Sequence, residues 1–118
     1  MTVTLYGIPN CDTVKKARIW LDSKGIAYVF HDFKKAGAPA ALIDGWLTQV
    51  PWTTLLNTRG TTWRGLPETR RAEVSDAAGA SSLMQEAPSL IKRPVLATGG
   101  AIHVGFSDAA YQDIFKPS

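Results

Sequence analysis

The chain has 118 residues, 45% of them hydrophobic, and carries 13 Lys and Arg against 10 Asp and Glu, a net charge of +3. That length suits one compact domain with its own core; a single cysteine rules out an internal disulfide, and together with only two histidines, His31 and His103, it leaves no zinc-type spacing, so no metal is expected. The basic residues are scattered in ones and twos with acids between them and no interleaved aromatics, which argues against direct nucleic-acid binding.

The first residues lack the basic region and apolar core of a signal peptide, and no apolar run approaches ~18 residues, so no membrane association and a reducing, cytoplasmic setting are expected. Thr2 to Tyr6 reads as a short strand, which Gly7 and Pro9 break. From Asp12 the apolar residues Val14, Ala17 and Leu21 fall at helical spacing, and the helix is expected to stop at Lys24-Gly25, with Gly25 as a left-handed cap. Ile26 to Phe33, rich in aromatic and β-branched residues, predicts a second strand, parallel to the first through a right-handed crossover. His31 in this strand is read as a structural histidine in preference to a general base.

Pro39 opens a further helix as its first residue, with Leu42, Ile43, Trp46, Leu47 and Val50 on its apolar face. Pro51 ends it, and 51–56 predicts one short helical turn that buries Trp52, Leu55 and Leu56. The four tryptophans, Trp20, Trp46, Trp52 and Trp63, read as packing residues, not as a ligand cage. Asn57 to Arg64 is polar, contains Gly60, and carries Arg59 and Arg64 among several hydroxyls; it reads equally as a solvated loop and as the lining of an anion site. Pro67 to Ala87 is helical in character, with Ala80, Leu83, Met84 and Ala87 on one face and a stop at Pro88, while Ala72 to Ser82 is loose enough in composition to hold a mobile loop. Pro94–Thr98, Gly99-Gly100 and Ala101–Val104 form a hairpin with a two-residue glycine turn. Gly105 breaks the second strand, Ser107 or Asp108 caps a last helix with Ala110, Tyr111, Ile114 and Phe115 on its apolar face, and Lys116-Pro117 stops it. The predicted order is βαβ, a helical block, ββα.

Cys11 falls at the N-cap of the first helix, where free backbone N–H groups and the positive pole of the helix dipole meet. Both favour an anion, and a thiolate is one. Lys15 and Lys16 add positive charge within a turn, and Asp12 opposes them. The alternative, Cys11 as a small buried hydrophobe, fits less well with its place between turn residues and a helix start. A phosphatase cradle fails on spacing, since Arg18 follows Cys11 as Cys-x6-Arg inside a helix, one residue longer than Cys-x5-Arg.

The runs Tyr6-Gly7-Ile8-Pro9-Asn10-Cys11-Asp12-Thr13-Val14-Lys15-Lys16-Ala17, Leu55-Leu56-Asn57-Thr58-Arg59-Gly60, Leu90-Ile91-Lys92-Arg93-Pro94-Val95 and His103-Val104-Gly105-Phe106 together resemble the ArsC/Spx family, in its order and over nearly the whole chain. The Cys-Asp-Thr-Val-Lys-Lys-Ala-Arg, Asn-Thr-Arg-Gly-Thr-Thr-Trp-Arg and Ile-Lys-Arg-Pro-Val runs look most like its YffB-type subgroup. The resemblance implies an α/β fold: a thioredoxin-like mixed sheet over about 1–34 and 89–116, a helical insertion over about 35–88, the whole a single domain. It also implies a cis peptide before Pro94, near the Cys11 sulfur.

In the family's arsenate reductases a cysteine attacks arsenate held by several arginines, and glutathione and glutaredoxin complete the reduction. Arg93 maps onto one of those arginines; the other two fall on Asn57 and near Phe106, so arsenate is expected to bind poorly unless Arg59 and Arg64 substitute. Spx-type regulators bind RNA polymerase and in many cases sense oxidation through Cys-x-x-Cys, but position 14 here is valine. The reading these residues favour is a glutathione-linked thiol reductase with no bound cofactor and glutathione as co-substrate. Cys11 is its nucleophile; Asn10, Thr13, Lys15 and the helix N-terminus hold the thiolate; Arg93 and Arg59 pair with a glutathione carboxylate or developing charge; the backbone at Pro94 aligns the peptide part. The alternatives are an Spx-like module that docks on a protein such as RNA polymerase, and an arsenate reductase with a glutaredoxin-like donor.

Overall fold

The computed structural model describes residues 2–116. The chain divides into two compact units, one made of the residues up to Asp32 together with those from Arg93 onward, the other of Phe33–Lys92.

The first unit is a sheet with helices. It comprises β1 (Val3–Gly7), α1 (Asp12–Ser23), β2 (Val29–Asp32), β3 (Val95–Thr98), β4 (Ala101–Val104) and a C-terminal helix over Asp108–Phe115. The strands lie in the order β2-β1-β3-β4, with β1 and β2 parallel and the other two pairs antiparallel, the mixed thioredoxin-like sheet expected. Alternate residues of β1, Val3 and Leu5, are buried and cluster with Ala17, Trp20, Leu21, Leu96 and Tyr111. The helix α1 contributes Val14, Ala17, Trp20 and Leu21, the i, i+3, i+6, i+7 set that its sequence pattern marks as apolar.

The strand β2 is shorter than expected. Gly25, at φ 68°, closes α1, and Ile26 N–H donates to Leu21 O at 3.0 Å, so the chain is still turning there. Pairing with β1 runs only from Thr4↔Val29 to Gly7↔Asp32, and Phe33 leaves the strand to be buried in the helical unit, its ring 6.3 Å from that of Trp46. The hairpin turns on Gly99 and Gly100, at φ 61° and 81°, the left-handed pair that a two-residue turn requires. Ser107, not Asp108, caps the last helix by accepting from Ala110 N–H at 3.1 Å. On that helix Tyr111 is buried and Ile114 and Phe115 are half-buried, whereas Ala110 is exposed; Lys116 is the C-cap, and the expected Pro117 stop lies outside the described residues.

The second unit holds the short helices α2 (Phe33–Ala36), α3 (Ala40–Leu47), α4 (Trp52–Leu55), α5 (Thr61–Arg64), α6 (Glu68–Ala72) and α7 (Ala77–Glu86), then a 3-10 turn over Pro88–Leu90; the sheet unit's C-terminal helix is α8. Pro39 is the N-cap of α3 and not its first residue, and α3 stops at Leu47, leaving Val50 half-buried beyond it. Leu55 and Leu56 are buried as expected; Trp52 is only half-buried.

The stretch from Pro67 to Ala87 is two helices. Asp76 accepts from Gly79 N–H at 2.8 Å and so starts a new one, and a methyl group at Gly79 would stand 2.8 Å from Glu73 O, which shows how tightly the chain reverses there. The part of Ala72–Ser82 expected to be loose is from Ala77 a packed helix: Ala80 and Ser81 are buried, and Ser81 Oγ donates to Asp44 Oδ1 on α3 at 2.6 Å. Of the tryptophans, Trp20 and Trp46 are buried, and Trp52 and Trp63 half-buried.

One contact fixes the approach of α1 to the sheet. A Cβ built on Gly7 would lie 2.8 Å from a Val14 methyl, and Val14 is fully buried. Gly7→Ala is therefore expected to destabilise the fold by about 1–3 kcal/mol, as overpacking does. On a Val14→Ala background the same change is expected to cost at least about 1 kcal/mol less, a coupling that urea unfolding of the four proteins measures.

A second expectation concerns Tyr111. Its hydroxyl is buried with no hydrogen-bond partner among the described residues, and burial raises the phenol well above its ordinary value of 10.0. An acid whose folded-state value is raised contributes stability that is fully present below pH 10 and lost as the pH rises beyond it. Tyr111→Phe should be at least as stable as the parent at pH 7, and its denaturation midpoint should fall less between pH 9 and pH 11 (both about one unit from that ordinary value).

Candidate functional site

The sheet brings several chain segments to one end. Because β1 and β3 are antiparallel, with Tyr6 opposite Val95, the end of β1 that leads to Cys11 lies beside the start of β3 that follows Arg93-Pro94. Asp32 and Val104 reach the same end through their pairings with Gly7 and Val95. Asn10, Cys11, Thr13, Lys15, Arg93 and Pro94 therefore cluster, by topology, at the end of the sheet where β1 finishes. A thioredoxin-like sheet is open to ligands at the carboxyl ends of its parallel strands, and this is that end.

Cys11 is the N-cap of α1, at φ −102° and ψ 126°, and is half-buried. Its carbonyl accepts from Lys15 N–H at 2.9 Å, the first bond of the helix, and its side chain makes no cap bond to the helix N–H groups. The sulfur thus stands at a helix start whose first N–H groups have no intrahelical partner. Its chain neighbours Asn10, Thr13 and Lys15 are exposed. Val14, three residues on, is buried against Gly7.

The Arg93-Pro94 peptide is cis, as the resemblance implies. Pro94 is fully buried, and its carbonyl accepts from Gly105 N–H at 2.8 Å, which ties the start of β3 to the exit of β4. Arg93, directly before it, is half-buried.

Several other titratable and aromatic groups of this unit have structural partners. His31 stacks on Tyr6, ring centroids 4.9 Å apart, in keeping with its structural reading. Burial holds the Tyr6 phenol above its ordinary range, so it is neutral at pH 7. Arg18 Nε donates to Tyr28 OH at 3.1 Å, and its guanidinium lies 4.2 Å over the Phe30 ring, so it packs on β2 and the loop before it. Phe106 sets its ring 4.7 Å from Tyr111 and packs on the hydrophobic core.

Arg59 belongs to the helical unit. It lines a cavity there of about 270 Å³ with Thr53, Leu56, Asn57, Thr58 and Lys92. Asn57 Oδ1 accepts from Arg59 N–H at 3.0 Å, and Asn57 N–H donates to Leu90 O at 2.8 Å. Sequence reasoning did not single out Lys92, Thr53 or Thr58. The available signal was Lys92 itself, a cation directly after the buried Leu90-Ile91 pair, in a run read only for the Arg-Pro that follows.

The ArsC family model matches residues 6–114. A relative from Haemophilus influenzae, described only as an uncharacterized protein, is 41% identical over 113 residues, 96% of this chain and 98% of the relative. Among solved structures, a YffB protein is 48% identical and superposes with a TM-score of 0.91 over 95% of this chain and 97% of that one. An arsenate reductase (ArsC) related protein from Brucella melitensis is 56% identical, with a TM-score of 0.76 over 99% of this chain and 97% of its own. The thioredoxin-like fold has its counterpart in these structures, and the chain belongs to the ArsC family.

Proposed function

We propose that this protein is a glutathione-linked thiol reductase that works through Cys11 alone. The observation that carries the reading is the half-buried Cys11 sulfur at the N-cap of α1, uncommitted to any cap bond, at the sheet end where Arg93 also emerges.

The Cys11 thiolate attacks the glutathione sulfur of a mixed disulfide R–S–S–G. The Cys11–glutathione disulfide forms, the S–S bond of R–S–S–G breaks, and the leaving RS⁻ takes a proton from solvent. A second glutathione, as thiolate, then attacks the adduct, releasing oxidised glutathione and the Cys11 thiolate. The net change is reduction of one mixed disulfide to RSH and oxidation of one glutathione. The N-terminus of α1, with Asn10, Thr13 and Lys15 around the sulfur, supplies donors and positive charge for the thiolate. Arg93 meets a glutathione carboxylate or the charge on the departing thiolate, and the backbone at Pro94 aligns the peptide part.

Two observations favour this chemistry over arsenate reduction. Of the two family arginines missing here, one falls near Phe106, which packs on Tyr111, and the other on Asn57, whose side-chain oxygen is used by Arg59 N–H. Each absent charge-assisted bond forfeits roughly 1.5–3 kcal/mol of oxyanion binding. The buried Val14 in place of a second cysteine likewise favours an external resolving thiol over an internal dithiol switch.

Intact-mass measurement after incubation with oxidised glutathione tests the reading. One glutathionyl adduct should form faster than on a free cysteine peptide, be absent in Cys11→Ser, and be removed by reduced glutathione; Arg93→Gln should slow its formation about tenfold. Absence of an adduct, or formation at the rate of an unactivated thiol, overturns it.

A further inference from the structure

The cavity in the helical unit has a chemistry of its own. It is framed by backbone that is tied down on both sides: Leu56 and Ile91 form an antiparallel bridge, Lys92 N–H donates to Leu55 O at 2.8 Å, and Asn57 N–H donates to Leu90 O at 2.8 Å. Leu55, Leu56, Leu90 and Ile91 are all buried, so the groups that point away from this clip start from a fixed base.

Those groups are donors. Arg59 brings a guanidinium and Lys92 an ammonium, and neither forms an ion pair among the described residues. Thr53 and Thr58 bring hydroxyls. Asn57 has already committed its side-chain oxygen to Arg59 N–H, which leaves its amide N–H groups as the available end. No Asp or Glu lines the cavity. An anion placed in a cavity lined by two cations gains charge-assisted bonds.

We infer that this cavity is an anion subsite, in which Arg59 and Lys92, aided by Asn57, Thr53 and Thr58, bind a small oxyanion group, either a carboxylate or a phosphate. The guanidinium fork suits two oxygens of one planar or tetrahedral oxyanion, and the ammonium supplies a point charge to a third contact or to the second oxygen. A volume of about 270 Å³ is several times that of one such group, so the cavity takes the acidic end of a larger molecule or a free oxyanion with water around it. The inference does not depend on thiol chemistry, because every residue it uses lies within Phe33–Lys92.

The test uses the full-length Cys11→Ser protein, so that no disulfide exchange takes part. Titrations with inorganic phosphate and with S-methylglutathione, a thiol-blocked peptide with two carboxylates, are followed by the NMR signals of the Asn57 side-chain amide and the Arg59 backbone and Nε–H, with chloride added to equal ionic strength as the reference. Saturable shifts at these groups, weakened at least about tenfold by Arg59→Gln and by Lys92→Gln, support the subsite. Saturation by phosphate alone assigns the group to a phosphate, and by the peptide alone to a carboxylate. Shifts that chloride reproduces, or binding that both substitutions leave unchanged, overturn it, whatever glutathionylation of Cys11 shows in the parent protein.

Discussion

The contact between Gly7 and Val14 is the constraint on which the sheet unit's site depends. The strand β1 is central, paired on both sides, and the helix that follows it must return across its face within the few residues from Ile8 to Cys11. A side chain at position 7 would hold α1 off by the width of a methyl group, since Val14 already occupies that space. With glycine there, Val14 seats fully, the first turn of α1 is clamped to the end of β1, and the N-cap residue is placed where β3 begins. The position of the Cys11 sulfur is thus a consequence of core packing: the same burial that stabilises the unit, roughly 1.5–3 kcal/mol for each large apolar side chain, also orients its thiol.

Much of this unit is legible in the sequence because its signals are local. The turn at Gly7 and Pro9, the 3.6-residue spacing from Val14 to Leu21, the Gly25 stop and the Gly99-Gly100 hairpin each rest on φ/ψ chemistry within a few residues. Their agreement with one another gives the order of elements, and the motif runs gave the family. What the sequence does not disclose is set by distant partners. The length of β2 is limited by where β1 can pair, and Phe33, which by propensity belongs to the strand, is drawn away by burial beside Trp46.

The helical unit reads less well for the same reason. Its helices run from four to ten residues, too short for propensity to define their ends. Gly79 and Asp76 divide Pro67–Ala87 through a bond and a close approach, neither of which shows as a break in the apolar pattern. Ser81 looks like a surface residue until Asp44 on α3 is brought to it. Arg59 could be singled out as a cation in a polar loop, but Lys92 joins it only because residues 55–57 and 90–92 are clipped together across a long stretch of chain.

The replacement of a possible second thiol by Val14 shapes any chemistry that Cys11 performs. A resolving cysteine three residues along the helix would need its sulfur free to approach Cys11, but here that position is buried at the one place where α1 and β1 touch most closely. The side chain that secures the fold and the side chain that would close an internal disulfide compete for the same site, and packing holds it. A disulfide formed at Cys11 therefore has to be resolved by a thiol arriving from solution.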